Sequence, residues 1–202
     1  NLKIVLRYIK SYKARSLAIA LSIILATSLI VGIGTLSRSA QQASVDRFRR
    51  ELGPDHVYFK DIKRNQLELI KSSKDIKNLG ITSHYGYTDI NEKLPINIEY
   101  VNKNYLTSHS KLIKGHFPKA NNEVVVEKWV LNSMGLKPEI NQDITFKLFK
   151  KEKPETFKVV GILEDRAIQK KQGMCEIFLN INESKLDNFS YVYVEFNEGS
   201  DI

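Results

Sequence analysis

The stretch Ser16–Ser37 reads SLAIALSIILATSLIVGIGTLS and carries no charged side chain, and Arg15 and Arg38 close it on either side. As a helix, its 22 residues would span about 33 Å, enough to cross a hydrocarbon core of about 30 Å. A buried helix of a soluble protein is the alternative, but such a helix rarely runs this long without one strongly polar side chain. We therefore predict a transmembrane helix at residues 16–37.

The charges on the two flanks predict the orientation of this helix. Five basic and no acidic residues precede Ser16, whereas the far flank mixes four arginines with two acids. Positive charge is retained on the cytoplasmic side of a membrane. We therefore predict a cell-membrane protein with a cytoplasmic N-terminus and an extracytoplasmic main domain.

A cleaved signal peptide is a second alternative for the apolar stretch. Its apolar core would have about 7–15 residues and would end at a small-x-small cleavage site. The sequence Ser37-Arg38-Ser39-Ala40 fits such a site poorly. A retained anchor is the better interpretation.

The net charge of +8 is concentrated near the N-terminus. Residues 1–52 hold nine Lys+Arg and two Asp+Glu, a difference of +7, whereas residues 53–202 hold 22 and 21, a difference of +1. This basic excess indicates membrane topology and lipid headgroups, so we predict a membrane partner and no nucleic-acid partner. Cys175 is the single cysteine, which excludes an intrachain disulfide.

The cytoplasmic segment, residues 1–15, contains a second helical pattern. Apolar residues recur at helical spacing within residues 2–12, and lysines and an arginine fall on other faces. This pattern predicts a short basic amphipathic helix on the inner leaflet. An ordinary cytoplasmic flank with no order of its own is the alternative.

Residues 38–52 continue the transmembrane helix in the sequence pattern. They contain no Gly or Pro, and they place Val45, Phe48 and Leu52 on one face, before Gly53-Pro54 ends the helix. We predict one continuous helix from about residue 16 to 52, in which residues 38–52 form a stalk.

Small residues recur inside the transmembrane segment. They are Ala18, Ser22, Ala26, Ser28 and Gly32. Small residues at this spacing let another helix approach closely, which predicts packing against other membrane helices of the same chain or of a second copy. The alternative is that such residues are simply common in membrane helices.

The remaining sequence, residues 53–202, mixes strand and helix patterns. Strands are predicted at residues 56–60, 81–90, 94–101, 123–127, 143–149, 155–163, 176–181 and 191–196. Helices or helical turns are predicted at residues 65–78, 102–108, 128–135 and 183–188. Polar turns or loops are predicted at residues 91–93, 112–118, 150–154 and 167–173. The fold class is therefore α+β: a long N-terminal transmembrane and stalk helix followed by a mixed α/β extracytoplasmic domain.

The sequence predicts no catalytic, cofactor-binding or metal site. It lacks the G-x-x-x-x-G-K-[ST] pattern of a phosphate-binding loop. The four histidines, His56, His84, His109 and His116, have no carboxylate or cysteine at metal-ligand spacing, and we predict that each is a surface or strand residue. Glu164-Asp165 follows a strand and would suit a cation, although a solvated turn is the better interpretation.

The segment Leu112–Leu163 carries a recurring pattern of glycines and hydrophobic residues. It reads LIKGHFPKANNEVVVEKWVLNSMGL, then a polar gap, DITFKL and FKVVGIL. This order resembles ABC transporter permeases of the FtsX-like or MacB-like type, with their G-x-x-P loop, E-V-V-[VI] strand and [FY]-x-V-V-G-[IV] strand. The residues in register are Gly115, Pro118, Glu123, Gly135, Val159, Val160 and Gly161. Asn141-Gln142 departs from the pattern, where the family carries a glycine, and so does Met134, where it carries a leucine.

The resemblance implies a fragment of a longer permease with further membrane helices. It implies that the extracytoplasmic domain contains a β-rich insertion, here at about residues 106–166. A separate cytoplasmic ABC ATPase would hydrolyse ATP and move the stalk and the outer domain, for export or mechanotransmission. This chain itself would then be no enzyme and would need no cofactor.

Two other functions remain open from the sequence. A single-pass, membrane-anchored extracellular sensor or interaction domain would need neither a small-residue face nor later membrane helices. A membrane-tethered enzyme is the third possibility, but no catalytic constellation is visible to support it. Neither the substrate nor the signal follows from the sequence.

Overall fold

The computed structural model describes residues 2–90 and 94–199 of the chain. The chain divides into two compact units, Asn1–Arg47 and Phe48–Ile202. The polar turn predicted at residues 91–93 lies outside the described residues.

Two helices begin the chain, α1 (Leu2–Ser11) and α2 (Lys13–Leu52). Helix α2 passes from the apolar stretch into the charged stretch without interruption, which confirms the continuous helix predicted over residues 16–52. Hydroxyl groups inside the apolar part bond back to the helix: Ser22 Oγ donates to the Ala18 carbonyl at 2.9 Å, and Thr27 Oγ1 to the Ile23 carbonyl at 2.8 Å. Their polar atoms are therefore satisfied within the helix, as lipid surroundings require.

A glycine ends α2. Gly53 has a φ of +91°, and its amide donates to the Arg49 carbonyl at 3.0 Å. This left-handed residue is the usual helix C-terminal stop, because glycine adopts positive φ without a Cβ penalty.

The second unit is built on one sheet that contains nine strands within the described residues. The strands are β1 (Val57–Lys63), β2 (Ile76–Ile90), β3 (Leu94–Val101), β4 (Leu112–Gly115), β5 (Glu123–Glu127), β6 (Asp143–Phe146), β7 (Glu155–Leu163), β8 (Cys175–Asn180) and β9 (Asn188–Phe196). Their order across the sheet is β1-β9-β2-β3-β8-β5-β7-β4, with β6 paired to β7. The β3–β8 and β5–β7 pairs are parallel, and the other pairs are antiparallel.

Short helices connect these strands. They are α3 (Arg64–Lys71), α4 (Lys103–His109), α5 (Lys128–Ser133), α6 (Ala167–Gln172) and a 3-10 turn at Glu183–Lys185. Asn102 fixes α4 against β2, since its side chain accepts from the amides of Tyr105 and Ile81 and donates to the Leu79 carbonyl. Together with the sheet, these helices confirm the predicted α+β class.

Hydrophobic residues fill both faces of the sheet. Val124 and Val126 of β5 face one side and pack with Trp129 of α5, whereas Val125 faces the other side and packs with Leu106 of α4. This alternation follows from the two-residue period of a strand, and each fully buried aliphatic side chain contributes about 1.5–3 kcal/mol. The strands of residues 106–166 are continuous with the rest of the sheet through the β5–β8 pair, so the proposed limits of a β-rich insertion remain a prediction.

Three local predictions are wrong. The helix predicted over residues 65–78 ends at Lys71, where the Ser72 amide closes it on the Glu68 carbonyl, and Ile76 already pairs with β9. Residues 112–118 are not all loop, because β4 finds hydrogen-bond partners on β7. Residues 167–173 form α6, closed by Gly173 at a φ of +68°.

Candidate functional site

Two of the three family-motif glycines, Gly115 and Gly161, lie where the fold leaves no room for a side chain. A Cβ on Gly115, which has a φ of +85°, would collide with the Val160 carbonyl. A Cβ on Gly161 would lie 2.5 Å from the His116 carbonyl oxygen and 2.8 Å from Val125 Cγ1. Both glycines therefore permit the close approach of β4, β5 and β7.

The other motif residues shape turns. Pro118 is buried, and the Glu123 carboxylate accepts from the amides of Lys119 and Ala120 at 2.8 and 3.1 Å. These hydrogen bonds lower the pKa of Glu123. Gly135 has a φ of +75° directly after α5. A functional role for any of these residues remains a prediction.

The predicted helix-packing face lies on the surface of α2. Its members are Ala18, Ser22, Ala26 and Ser28, which are exposed, and Gly32, which is half-buried. The stalk residues Val45, Phe48 and Leu52 are each more than half exposed. Both faces are thus available for contacts, and what they contact remains a prediction.

A buried pair lies directly after the end of α2. His109 Nε2 is 2.6 Å from Asp55 Oδ2, a separation within ion-pair range, although the angles are not those of a hydrogen bond. The His109 Nδ1 atom lies 3.1 Å from the Tyr105 carbonyl, and the two rings stack at 4.2 Å. A Cβ on Gly53 would collide with the His109 ring. We call Gly53, Asp55, Tyr105 and His109 the junction cluster.

The junction cluster corrects a prediction about the histidines. His109 lies on α4 and is only 4% exposed, so it is neither a surface nor a strand residue. The other three histidines are exposed. The partner of His109 is 54 positions away in the sequence, which is why no local spacing indicated it.

Arg166 has two carboxylate partners and lines the same cavity as Asp55, Tyr105 and His109 of the junction cluster. The Nε atom of Arg166 donates a hydrogen bond to Glu127 Oε1, and its Nη2 atom lies 2.5 Å from Glu176 Oε2. Glu127 also accepts from Trp129 Nε1 at 2.5 Å. Burial raises the pKa of Glu127, although Arg166 opposes this effect. Burial alone would lower the pKa of Arg166, but Glu176 and Glu127 outweigh it and raise that pKa.

A cavity of about 320 Å³ opens beside this arginine. Its lining consists of four tyrosines and two glutamates: Tyr58, Glu99, Tyr105, Glu176, Tyr191 and Tyr193. We call it the tyrosine–glutamate cavity. Tyr58 and Tyr193 are paired across β1 and β9, and Asn97 Nδ2 donates to Glu99 Oε1 at 2.6 Å. Burial, with the nearby Glu176 carboxylate, raises the pKa of Glu99 to about 7.

The residues considered from the sequence as possible catalytic or metal-binding groups have other partners in the structure. Among residues 2–90 and 94–199, no three His, Cys, Asp or Glu side chains converge as metal ligands. Ser108 does not face its neighbour His109 as a nucleophile, because its Oγ accepts from Asn78 Nδ2 at 2.6 Å. Asp165 accepts from the Trp129 amide and from Lys170 Nζ, so protein donors already satisfy the predicted Glu164-Asp165 turn.

Solved structures that match this chain include the following three. The extracellular domain of the noncanonic ABC-type transporter YknZ from Gram-positive bacteria is 13% identical over 69% of this chain and 75% of its own, with a TM-score of 0.49. The periplasmic region of MacB from Actinobacillus actinomycetemcomitans is 12% identical over 71% and 68%, with a TM-score of 0.48. A domain of a protein described as a permease, from Porphyromonas gingivalis, is 14% identical over 71% and 72%, with a TM-score of 0.51. The Porphyromonas gingivalis domain, with its TM-score above 0.5, supports the assignment of the fold. No curated protein sequence gives a significant match.

The sequence of residues 16–202 matches the family of the MacB-like periplasmic core domain. Within the described residues, the segment Lys13–Asp46 of α2 is long enough to cross a membrane, and its most apolar 18-residue window has a mean hydropathy of 2.5. The family and this helix together describe a membrane protein with an extracytoplasmic domain. They confirm the resemblance drawn from Leu112–Leu163: the chain belongs to the family of the MacB-like periplasmic core domain.

Proposed function

We propose that this chain forms part of the permease subunit of an ABC transporter of the export or mechanotransmission type. A separate cytoplasmic ATPase subunit hydrolyses ATP and thereby moves α2 and the extracytoplasmic domain. The observation that carries this proposal is the family match, because it spans residues 16–202 and so includes most of α2 as well as the sheet. The N-terminus is cytoplasmic in this proposal, as the charge asymmetry predicts.

The continuity of α2 supports a mechanical role. Its 40 residues contain Gly32 and Gly34 but no proline, and both glycines lie in the apolar part. An uninterrupted helix is stiff, whereas a flexible tether would be rich in glycine and serine. Displacement of one end of α2 would therefore reach the other end.

The junction cluster supports transfer of that displacement into the sheet. Gly53 ends α2 against the His109 ring, and Asp55 pairs with the same ring. Tyr105, stacked on His109, has its ring centroid 6.0 Å from that of Phe178 on β8 and 5.2 Å from that of Tyr193 on β9. The last turn of α2 is thereby linked to β8 and β9 through packed rings, and close-packed groups of this kind are deformed little by an applied force.

The association with an ATPase is the first point to test. The full-length permease would be expressed with an affinity tag together with a candidate ABC ATPase from the same organism, and then purified in detergent. We expect the two proteins to co-purify in fixed stoichiometry and the ATPase to hydrolyse ATP in proteoliposomes. Permease that purifies alone, with normal yield and folding, would favour the single-pass sensor. A tagged membrane protein of unrelated family serves as the control for non-specific capture.

A further inference from the structure

We propose that the tyrosine–glutamate cavity binds the ammonium group of a small organic cation. The inference goes beyond the proposed function and does not depend on it. It rests on three features of the cavity: the arrangement of its aromatic rings, the charge of its lining, and a buried carboxylate oxygen without a hydrogen bond in the adjoining cavity.

Three aromatic rings form the rim of the cavity. The centroids of Tyr58, Tyr191 and Tyr193 are 6.0, 6.1 and 6.0 Å apart, which is nearly an equilateral triangle. A cation above the centre of that triangle would lie within about 6 Å of all three rings, the range of cation–π attraction. Tyr58 is 62% exposed, so the rim is open to solvent.

The lining of the cavity contains acidic side chains and no basic side chain to balance them. The two acidic side chains are Glu99 and Glu176. Arg166 lies just outside and pairs with Glu176, but it is shared with Glu127. Glu127 and Glu176 thus share one guanidinium, and Glu99 adds a further negative charge when it is ionised, which a cation in the cavity would offset.

The adjoining cavity shares four of the lining residues and contains Asp55. The Asp55 side chain is 9% exposed, and its Oδ1 atom has no hydrogen-bond partner. A buried carboxylate oxygen without a donor is costly. This oxygen adds a second acceptor position for a ligand that extends beyond the tyrosine rim.

Glu99 makes the site sensitive to pH. Because its pKa lies at about 7, Glu99 is partly protonated at neutral pH, and a bound ammonium group would replace that proton. The charged and titratable groups facing Glu99 come from all neighbouring elements: Glu176 of β8, Arg166, Tyr105 of α4, Tyr193 of β9 and His84, its register partner on β2. Binding should therefore strengthen as the pH rises through about 7.

Equilibrium dialysis of radiolabelled choline against the full chain in detergent micelles tests this proposal. Choline carries a quaternary ammonium group, and its neutral carbon isostere, a dimethylbutanol, has the same shape without the charge. We expect choline to bind with one site per chain, and the alcohol to compete at least about tenfold more weakly, because cation–π and carboxylate interactions need the charge. An equal affinity for both compounds would overturn the proposal.

Two variants of the lining should weaken choline binding. Glu99→Gln keeps the shape of the side chain and removes its charge, and Tyr191→Leu removes one ring of the triangle; we expect each to weaken binding about tenfold. Glu99→Gln should also abolish the pH dependence. The matched controls, Glu164→Gln and Tyr87→Leu, change exposed residues outside the cavity and should bind like the parent. Unchanged affinity in both lining variants, or no choline binding by the parent chain, would overturn the proposal.

Discussion

Replacing Glu99 by glutamine should stabilise the extracytoplasmic domain at high pH. Burial, with a smaller contribution from Glu176, raises the pKa of Glu99 from 4.5 to about 7 in the folded protein. A carboxyl group with a raised folded pKa contributes stability that is fully present below pH 4.5 and is lost as the pH rises through about 7. Each pKa unit corresponds to about 1.4 kcal/mol, so the loss amounts to about 3 kcal/mol by pH 8. Glutamine has no ionisable proton, so the variant should not lose this stability as the pH rises.

The assay is urea unfolding of the full chain in micelles, followed by fluorescence. Trp129 is the single tryptophan and lies in the core beside β3 and β8, so it reports on the sheet. The Glu99→Gln variant and the parent should unfold alike near pH 4 and differ by about 3 kcal/mol near pH 8. Glu164→Gln, at an exposed carboxylate, is the control and should change stability by less than about 0.5 kcal/mol at either pH. A Glu99→Gln effect of constant size across this range would contradict a raised pKa of Glu99 in the folded protein.

Two further predictions concern topology and the buried arginine. A cysteine introduced at Asn122 should react with an impermeant thiol reagent added outside the cell, whereas a cysteine introduced at Ser11 should not. The native Cys175 should stay unmodified, because it is buried and burial raises its pKa to about 11. The opposite labelling pattern would reverse the assigned orientation. Arg166→Met should lower the free energy of unfolding by about 3–5 kcal/mol in the same urea assay, because it leaves the Glu127 carboxylate buried without its cation. A loss below about 1 kcal/mol would show that Glu127 is neutral in the folded protein.

Much of the fold could be predicted from periodicity. The apolar run of residues 16–37 and the breaker-free stretch after it indicated α2. The three consecutive valines of residues 124–126 indicated the buried strand β5, and the alternating pattern indicated the β6–β7 hairpin. These elements have strong local signals. The wrong predictions concern segments whose secondary structure depends on a distant strand. Strand β4 forms because β7 supplies its hydrogen-bond partners, and residues 76–78 belong to β2 because they pair with β9.

The candidate site could not be predicted in the same way. Asp55 and His109, or Tyr58 and Tyr193, come together only when distant strands and α4 assemble, and a single sequence carries no record of such pairs. One local signal existed, because Tyr191 and Tyr193 are two residues apart on a strand and must face the same side. Neither tyrosine has a neighbour in sequence that would indicate which other side chains complete the cavity.

A double glycine variant tests whether transport or signalling depends on the stiffness of α2 between the apolar stretch and Gly53. Ala43→Gly with Ser44→Gly, made in the full-length permease with its ATPase, should cost about 0.5–1 kcal/mol of helix stability per residue and leave the sheet unchanged. The control, Ala43→Gln with Ser44→Gln, keeps the helix. Transport or signalling and ATP hydrolysis would be measured side by side in proteoliposomes. We expect the double glycine variant to insert in normal amount and to support ATP hydrolysis but to lose transport or signalling, whereas the control retains both. Transport at the parent level in the double glycine variant would contradict this expectation, because α2 would then be only a spacer.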